Sequence, residues 1–293
     1  NYSNNLLYMR FVVILFFIIH HLANAQPNTD VYLLNTETSN LVNISNNKGY
    51  DNQPSFISDS LVLFAKSRQQ QTDIILYNIN SKASKWIFHT TQGSEFSPVQ
   101  IPNTKNIATV RLDTTGLQRL YSYNTTTNKT TLVNDSLKIG YHAWNNEHEL
   151  ITYVLGNPSI LVYINLKDQT QKQIVDNIGR SLQKIPNSNL MSYTSINTDG
   201  IHEVYQLDIE DDFSSYYVCD LPIGVQDYTW LNRDVLAIGS ASSLFTYDTF
   251  VDEDWQRWIS LKDHNISNIT RLAVSPNGKL IAIVAEETYK EKN

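Results

Sequence analysis

The sequence predicts an all-β protein: a six-bladed β-propeller of four-stranded antiparallel blades, closed by N-terminal and C-terminal strands that share one blade. Three observations predict it. Short β-type runs ending in Asn or Asp recur at Val31–Asn35, Ile74–Asn78, Leu120–Asn124, Leu161–Asn165, Val204–Asp208 and Leu244–Asp248, their last residues 43, 46, 41, 43 and 40 apart. A second series with the same period begins at Pro54, Pro98, His142, Leu182, Tyr228 and Leu272; its third residues (Phe56, Gln100, Trp144, Lys184, Trp230, Val274) are 44, 44, 40, 46 and 44 apart. No long stretch carries the 3.6-residue apolar spacing of a helix. Four short strands in each 40 to 50 residues is the pattern of a propeller blade.

Composition sets the bounds. The chain has 293 residues, 41% of them apolar and 17% charged, so it can bury a large core and is not disordered by composition. Its net charge of −7 argues against a nucleic-acid groove, which needs clustered Lys and Arg. A single cysteine, Cys219, excludes an intrachain disulfide and any Cys-rich metal module. Its Tyr-Tyr-Val-Cys context favours a small buried apolar residue over a reactive thiol.

Taken in order, the chain opens with an address. Arg10 supplies a short positive region, Phe11–Ile19 an apolar run of nine residues, and Ala23-Asn24-Ala25 a small-x-small cleavage signal. That run is well short of the ~20 residues a membrane-spanning helix requires. A cleavable signal from Met9 to Ala25 is expected, with residues 1–8 upstream of the true start and an uncleaved anchor as the alternative. No cysteine stands at the cleavage point for a lipid anchor, and no later stretch reaches membrane-spanning length. A periplasmic or secreted protein, bacterial in its Asn-rich and Cys-poor composition, is the expectation. Asn-x-Ser/Thr triplets at Asn43, Asn124, Asn128, Asn134, Asn265 and Asn268 would be glycosylation acceptors only in a eukaryotic secretory route.

Residues 26–293 are then expected to form one domain with a short polar tail. Each unit has an inner strand such as Tyr141–Asn145, an apolar strand such as Leu150–Leu155, the alternating strand ending in Asn or Asp, and a polar fourth strand such as Lys129–Val133. The domain opens with third and fourth strands (Val31–Asn35, Leu41–Ile44) and ends with first and second strands (Arg271–Ser275, Leu280–Ala285). Joining the two halves completes a sixth blade and removes free sheet edges.

Ser275-Pro276-Asn277-Gly278-Lys279-Leu280-Ile281-Ala282 resembles the W-S-P-D-G-K-x-I-A element of TolB-like, WD40-like (PD40) propeller repeats, and Asp73–Asn78 resembles the strand that follows it there. Val274 stands where the repeat has Trp, which Trp144 and Trp230 retain. The resemblance implies an exported propeller that binds proteins. With only Gln26 to Thr29 between cleavage site and first strand, it also implies a propeller without TolB's N-terminal domain.

Catalytic motifs are weak. Gly239-Ser240-Ala241-Ser242 lacks the second glycine of a nucleophile elbow. His142 and His148, with Glu147 and Glu149 nearby, lie on a strand–turn–strand and not on the helix that H-E-x-x-H requires. Glu210-Asp211-Asp212 and Asp252-Glu253-Asp254 fall in hairpins and are expected to be solvated turns in place of Ca²⁺ loops. No metal or cofactor is expected.

Loops carry a propeller's binding chemistry while its strands hold the frame. Three residues before each inner-strand anchor stand Gln53, Ser97, Tyr141, Ser181, Asp227 and Arg271. Period-two alternation predicts that these reach the channel mouth while their neighbours Pro54, Pro98, His142, Leu182, Tyr228 and Leu272 pack between blades. Tyr50, Glu95 and Arg180 would extend that surface. The expected function is a non-catalytic module whose mouth takes a protein, peptide or polar ligand. The alternative is a propeller-fold enzyme cleaving a glycan or peptide with catalytic residues scattered over the loop face.

Overall fold

The computed structural model describes residues 28–88 and 92–288. The expected signal segment, Met9–Ala25, lies outside them. Twenty-four strands form six four-stranded antiparallel sheets, and no α-helix occurs among the described residues. Strands β1 (Asp30–Asn35) and β2 (Leu41–Asn43) belong to the last blade. Blade I follows with β3 (Asp51–Ser58), β4 (Leu61–Arg68), β5 (Gln71–Asn78) and β6 (Ala83–Trp86), and blade II with β7 (Ser94–Gln100), β8 (Asn106–Leu112), β9 (Gln118–Asn124) and β10 (Thr130–Asn134). Blade III comprises β11 (Ile139–Trp144), β12 (Glu149–Val154), β13 (Ile160–Asn165) and β14 (Thr170–Asp176). Blade IV comprises β15 (Ile178–Lys184), β16 (Met191–Ile196), β17 (His202–Asp208) and β18 (Ser214–Asp220). Blade V comprises β19 (Thr229–Trp230), β20 (Val235–Ser240), β21 (Ser243–Asp248) and β22 (Gln256–Ser260). Blade VI joins β23 (Ile266–Val274) and β24 (Leu280–Glu287) to β1 and β2.

Closure is a direct ladder between the two ends of the domain. Strand β1 pairs antiparallel with β24 from Asp30 opposite Ala285 to Asn35 opposite Leu280. The shared blade predicted from the sequence is therefore present, with strand ends shifted by a residue or a few.

The residue that marks the repeat also makes the turn. The last residue of each third strand accepts backbone N–H bonds from residues two or three further on: Asn35 from Glu37 and Thr38, Asn78 from Asn80 and Ser81, and Asn124 from Thr126 and Thr127. Asn165, Asp208 and Asp248 do the same for Lys167, for Glu210 and Asp211, and for Phe250. These Asx turns reverse the chain into the fourth strand, which is why a short amide or carboxylate recurs there.

Packing follows from position within the blade. Middle strands such as β4 are buried on both faces and read as continuous apolar runs, whereas an outer strand such as β14 is mostly exposed and polar. Each apolar cluster joins neighbouring blades: Leu63, Ile74 and Ile107 between I and II; Val110, Trp144 and Ile164 between II and III; Ile151, Tyr163 and Leu182 between III and IV. Val204, Trp230 and Leu236 join IV to V, Ala237, Leu244 and Ile269 join V to VI, and Val31, Phe64 and Val284 join VI back to I. The two tryptophans at the repeat's apolar position, Trp144 and Trp230, are thus inter-blade packing residues. Gly239 belongs to this seam as well, since a Cβ there would lie 2.1 Å from Cγ2 of Ile269.

Candidate ligand-binding mouth

All six inner-strand regions line one cavity of ≈110 Å³ on the axis. Its wall contains Gln53, Ser97, Tyr141, Ser181, Asp227 and Arg271 together with Arg180, and also Pro54, Pro98, His142, Leu182, Tyr228 and Leu272. The alternation expected from period two separates these sets only in part: Leu182, Tyr228 and Leu272 pack between blades as expected while also reaching the cavity wall. Register shifts between Asn52 and Ser55, Phe96 and Val99, and Ile178 and Leu182 interrupt the inner strands here. A bulge puts two residues opposite one and re-aims side chains. Gln53 and Ser97 sit in these irregular stretches at φ 56° and 51°, a left-handed conformation unusual for residues other than glycine.

Polar groups in this wall bind one another around the ring. Gln53 Oε1 accepts the Ser97 N–H at 2.9 Å, and the Ser97 carbonyl accepts His142 Nε2–H at 3.0 Å. His142 Nδ1 in turn accepts Trp144 Nε1–H at 3.1 Å, so both ring nitrogens are committed. Burial pushes the His142 pKa down to about 4, and the imidazole is neutral at pH 7. Ser181 Oγ accepts the Tyr228 N–H at 3.4 Å, and Gln183 Nε2 donates to the Tyr228 carbonyl at 3.2 Å. Ser97 Oγ is buried and has no hydrogen-bond partner.

The charged part of the wall spans four blades. Asp227 Oδ2 accepts Arg180 Nε–H at 2.9 Å and a second bond from Arg180 Nη2, while Arg271 Nε lies 3.7 Å away. Arg271 Nη2 donates to the Tyr141 hydroxyl at 3.1 Å, and its Cζ stands 5.1 Å from the centre of the Tyr141 ring. Burial works against the Arg271 charge, but Asp227, Tyr141 and Tyr50 outweigh it and hold the guanidinium above its ordinary pKa. Tyr50 packs edge-on against Phe96 at 6.2 Å, and burial raises its pKa despite the opposing field of Arg271.

Glu95 is placed elsewhere. It is buried in blade II, accepts the Tyr123 hydroxyl at 3.4 Å and lies 3.8 Å from Arg111 Nε. Of the nine residues singled out from the sequence, seven line the axial cavity, Tyr50 acts on it electrostatically, and Glu95 does neither. The struts His142 and Gln183 were not picked out as parts of the mouth.

The weaker chemical candidates resolve into structure. Gly239 and Ser240 end β20, and Ser243 starts β21, so the Gly-Ser-Ala-Ser segment is a tight β-hairpin turn and not a strand–turn–helix. His148 is exposed, with Nε2 3.2 Å from Glu147. Asp212 pairs with Lys172 at 2.9 Å, and Asp252 and Asp254 accept backbone N–H bonds from Asp248 and Trp255. Among the described residues no three His, Cys, Asp or Glu groups gather as a metal site. Cys219 is buried and its thiol is pushed up to about 12 by desolvation, which suppresses thiolate chemistry. Trp255 donates to the Asp220 carbonyl at 2.8 Å, tying the outer edges of blades IV and V.

No protein-family model matches the sequence, and no curated protein matches it by sequence. Solved structures do match in shape. A protein described as TolB from Agrobacterium tumefaciens superposes with a TM-score of 0.67 at 10% identity, over 88% of this chain and 98% of that one. The fold is TolB-like. TolB from Acinetobacter baumannii gives a TM-score of 0.59 at 10% identity over 93% of this chain and 68% of its own length. A gluconolactonase from Xanthomonas campestris gives 0.62 at 7% identity, covering 90% of this chain and 98% of that one. At such identities the comparisons show the fold alone, and that fold is shared by TolB and by a gluconolactonase. No helix among the described residues is long and apolar enough to cross a membrane.

Proposed function

We propose that this chain is an exported, non-catalytic propeller that binds a protein or peptide at the mouth of its axial channel. The observation that carries the proposal is the wall itself: side chains from every blade converge on one cavity, and its charged members Arg180, Asp227 and Arg271 meet at one carboxylate oxygen. Such a surface offers a guanidinium, phenols and amides on a rigid frame, which suits recognition. Export to the periplasm or outside the cell is proposed from the apolar run and cleavage signal at Phe11–Ala25. A non-catalytic role is favoured because the imidazole nearest the cavity, His142, has both nitrogens engaged and is neutral.

The test compares capture of one identified partner by the wild-type chain and by Tyr50→Ala/Tyr141→Phe, with Phe250→Ala, an exposed hairpin position, as control. Loss of capture in the first variant with retention in the control is expected. Equal capture by all three removes the mouth as the binding surface. Partner-independent turnover of a polysaccharide or peptide by the wild-type chain would replace the proposal with the enzyme alternative.

A further inference from the structure

The Arg180–Asp227 pair is a partition between two cavities. One side faces the axial cavity; the other faces a groove of ≈350 Å³ lined by Ile223, Gly224, Val225 and Gln226 and, across from them, by Gly239–Ala241 and Asn268–Thr270. Both Arg180 and Asp227 belong to both walls. The groove therefore runs along the loop from blade IV to blade V and ends on a guanidinium that is 33% exposed. At its rim Ile223 is 94% exposed.

Charge at the partition does not balance. Arg180 and Arg271 converge on the single carboxylate of Asp227, and burial holds the nearby Tyr50 phenol and His202 imidazole in their uncharged forms. One positive charge is left over at the mouth of a chain whose net charge is −7. Donors are left over as well. A guanidinium has five N–H groups; among the described residues Arg180 gives Nε–H and one Nη2–H to Asp227, and Arg271 gives one hydrogen bond, to Tyr141. Excess cation and unused planar donors suit a carboxylate, whose two oxygens accept from a guanidinium in one plane.

We propose that the groove and partition form a subsite for an acidic side chain of an extended peptide, with Arg180 binding its carboxylate and Ile223 contacting an adjacent apolar side chain. The inference rests on the peptide-binding function proposed above and adds the chemistry that is read. An acidic side chain is taken as the occupant because its carboxylate supplies the charge that Arg180 and Arg271 leave unmatched beside the single carboxylate of Asp227. Arg271, pinned between Asp227 and Tyr141, holds Asp227 in place when Arg180 turns toward the ligand.

The experiment titrates the folded chain with N-acetyl-Asp-Leu-amide and with N-acetyl-Asn-Leu-amide, following arginine side-chain and Ile223 NMR signals. The expected result is binding of the Asp peptide about 10- to 100-fold tighter than the Asn peptide, the range of a charge-assisted pair. The preference should vanish in Arg180→Gln, and thermal melting verifies that the variant is folded. Equal binding of both peptides, binding of neither, or an undiminished preference in Arg180→Gln overturns the inference. Its failure is separable from failure of the mouth as a partner site. If Tyr50→Ala/Tyr141→Phe still abolishes partner capture while the two peptides bind alike, the mouth stands and the carboxylate subsite falls.

Discussion

Arg271 and Tyr141 meet across the channel. In a ring built in chain order, blades VI and III stand opposite one another, and the 3.1 Å bond from Arg271 Nη2 to the Tyr141 hydroxyl bridges them. With Asp227 and Arg180 it links four blades, so a polar brace crosses the axial channel among the mouth residues.

The brace should be sensitive to which member is lost. Among the described residues Asp227 is the only carboxylate shared by Arg180 and Arg271, and its side chain is 11% exposed. Asp227→Asn leaves two clustered guanidiniums without a counter-charge and should cost about 3–5 kcal/mol. Arg271→Met leaves Asp227 paired with Arg180 and should cost about 1–2 kcal/mol less than that. Urea unfolding of the two variants measures the order, and a reversed order contradicts the brace.

His142 should make stability depend on pH. Its folded pKa of about 4 lies below the ordinary 6.5, so the unfolded chain binds the proton more readily. Stability from this group is complete above pH 6.5, falls as pH drops through the interval, and is lost below about 4. The loss is on the order of 3 kcal/mol over the whole interval. His142→Gln removes the titration, so the difference between the pH–stability curves of wild type and variant should slope between 6.5 and 4 and be flat above. A flat difference throughout would mean the imidazole is not held neutral.

Ser192 is a hidden keystone between blades IV and V. Its fully buried Oγ accepts the Tyr228 hydroxyl at 2.7 Å and Trp230 Nε1–H at 2.9 Å. Ser192→Ala strands both buried donors at once, at about 1–3 kcal/mol each. A total of about 2–6 kcal/mol in chemical denaturation is expected, whereas Tyr228→Phe, which leaves the Trp230 bond intact, should cost less. Equal losses in the two variants would remove Ser192 from this role.

How much of this was legible depends on the range of the interaction involved. The Asn or Asp closing each third strand could be read because an Asx turn is local: Asn78 holds Asn80 and Ser81, two and three residues away. Closure could be read because half-units at both ends leave complementary edges, as Leu34 opposite Ile281 bears out. The bulges at Gln53 and Ser97 could not, since alternation is a rule for regular strands and neither residue is a glycine that would announce a left-handed backbone. Nor could the pairing of Arg180 with Asp227, 47 residues apart, because one period separates many residues and the repeat does not say which side chains meet. Glu95 shows the same gap, turning into its own blade toward Arg111 although its register resembles that of the mouth residues.

The Asx turns give a last prediction that separates local from global contributions. Asn78 Oδ1 accepts two N–H bonds at the β5–β6 hairpin, an exposed site with no inter-blade packing of its own. Asn78→Ala should therefore lose about 0.5–2 kcal/mol, the range of a backbone cap, while Asn78→Asp should be close to neutral because a carboxylate accepts the same bonds. In native-state hydrogen exchange the Asn80 and Ser81 amides should lose protection in the alanine variant while those of β4, paired with β5 along its whole length, hold. Uniform loss of protection across blade I would show that this turn is coupled to the whole blade and is not a local device.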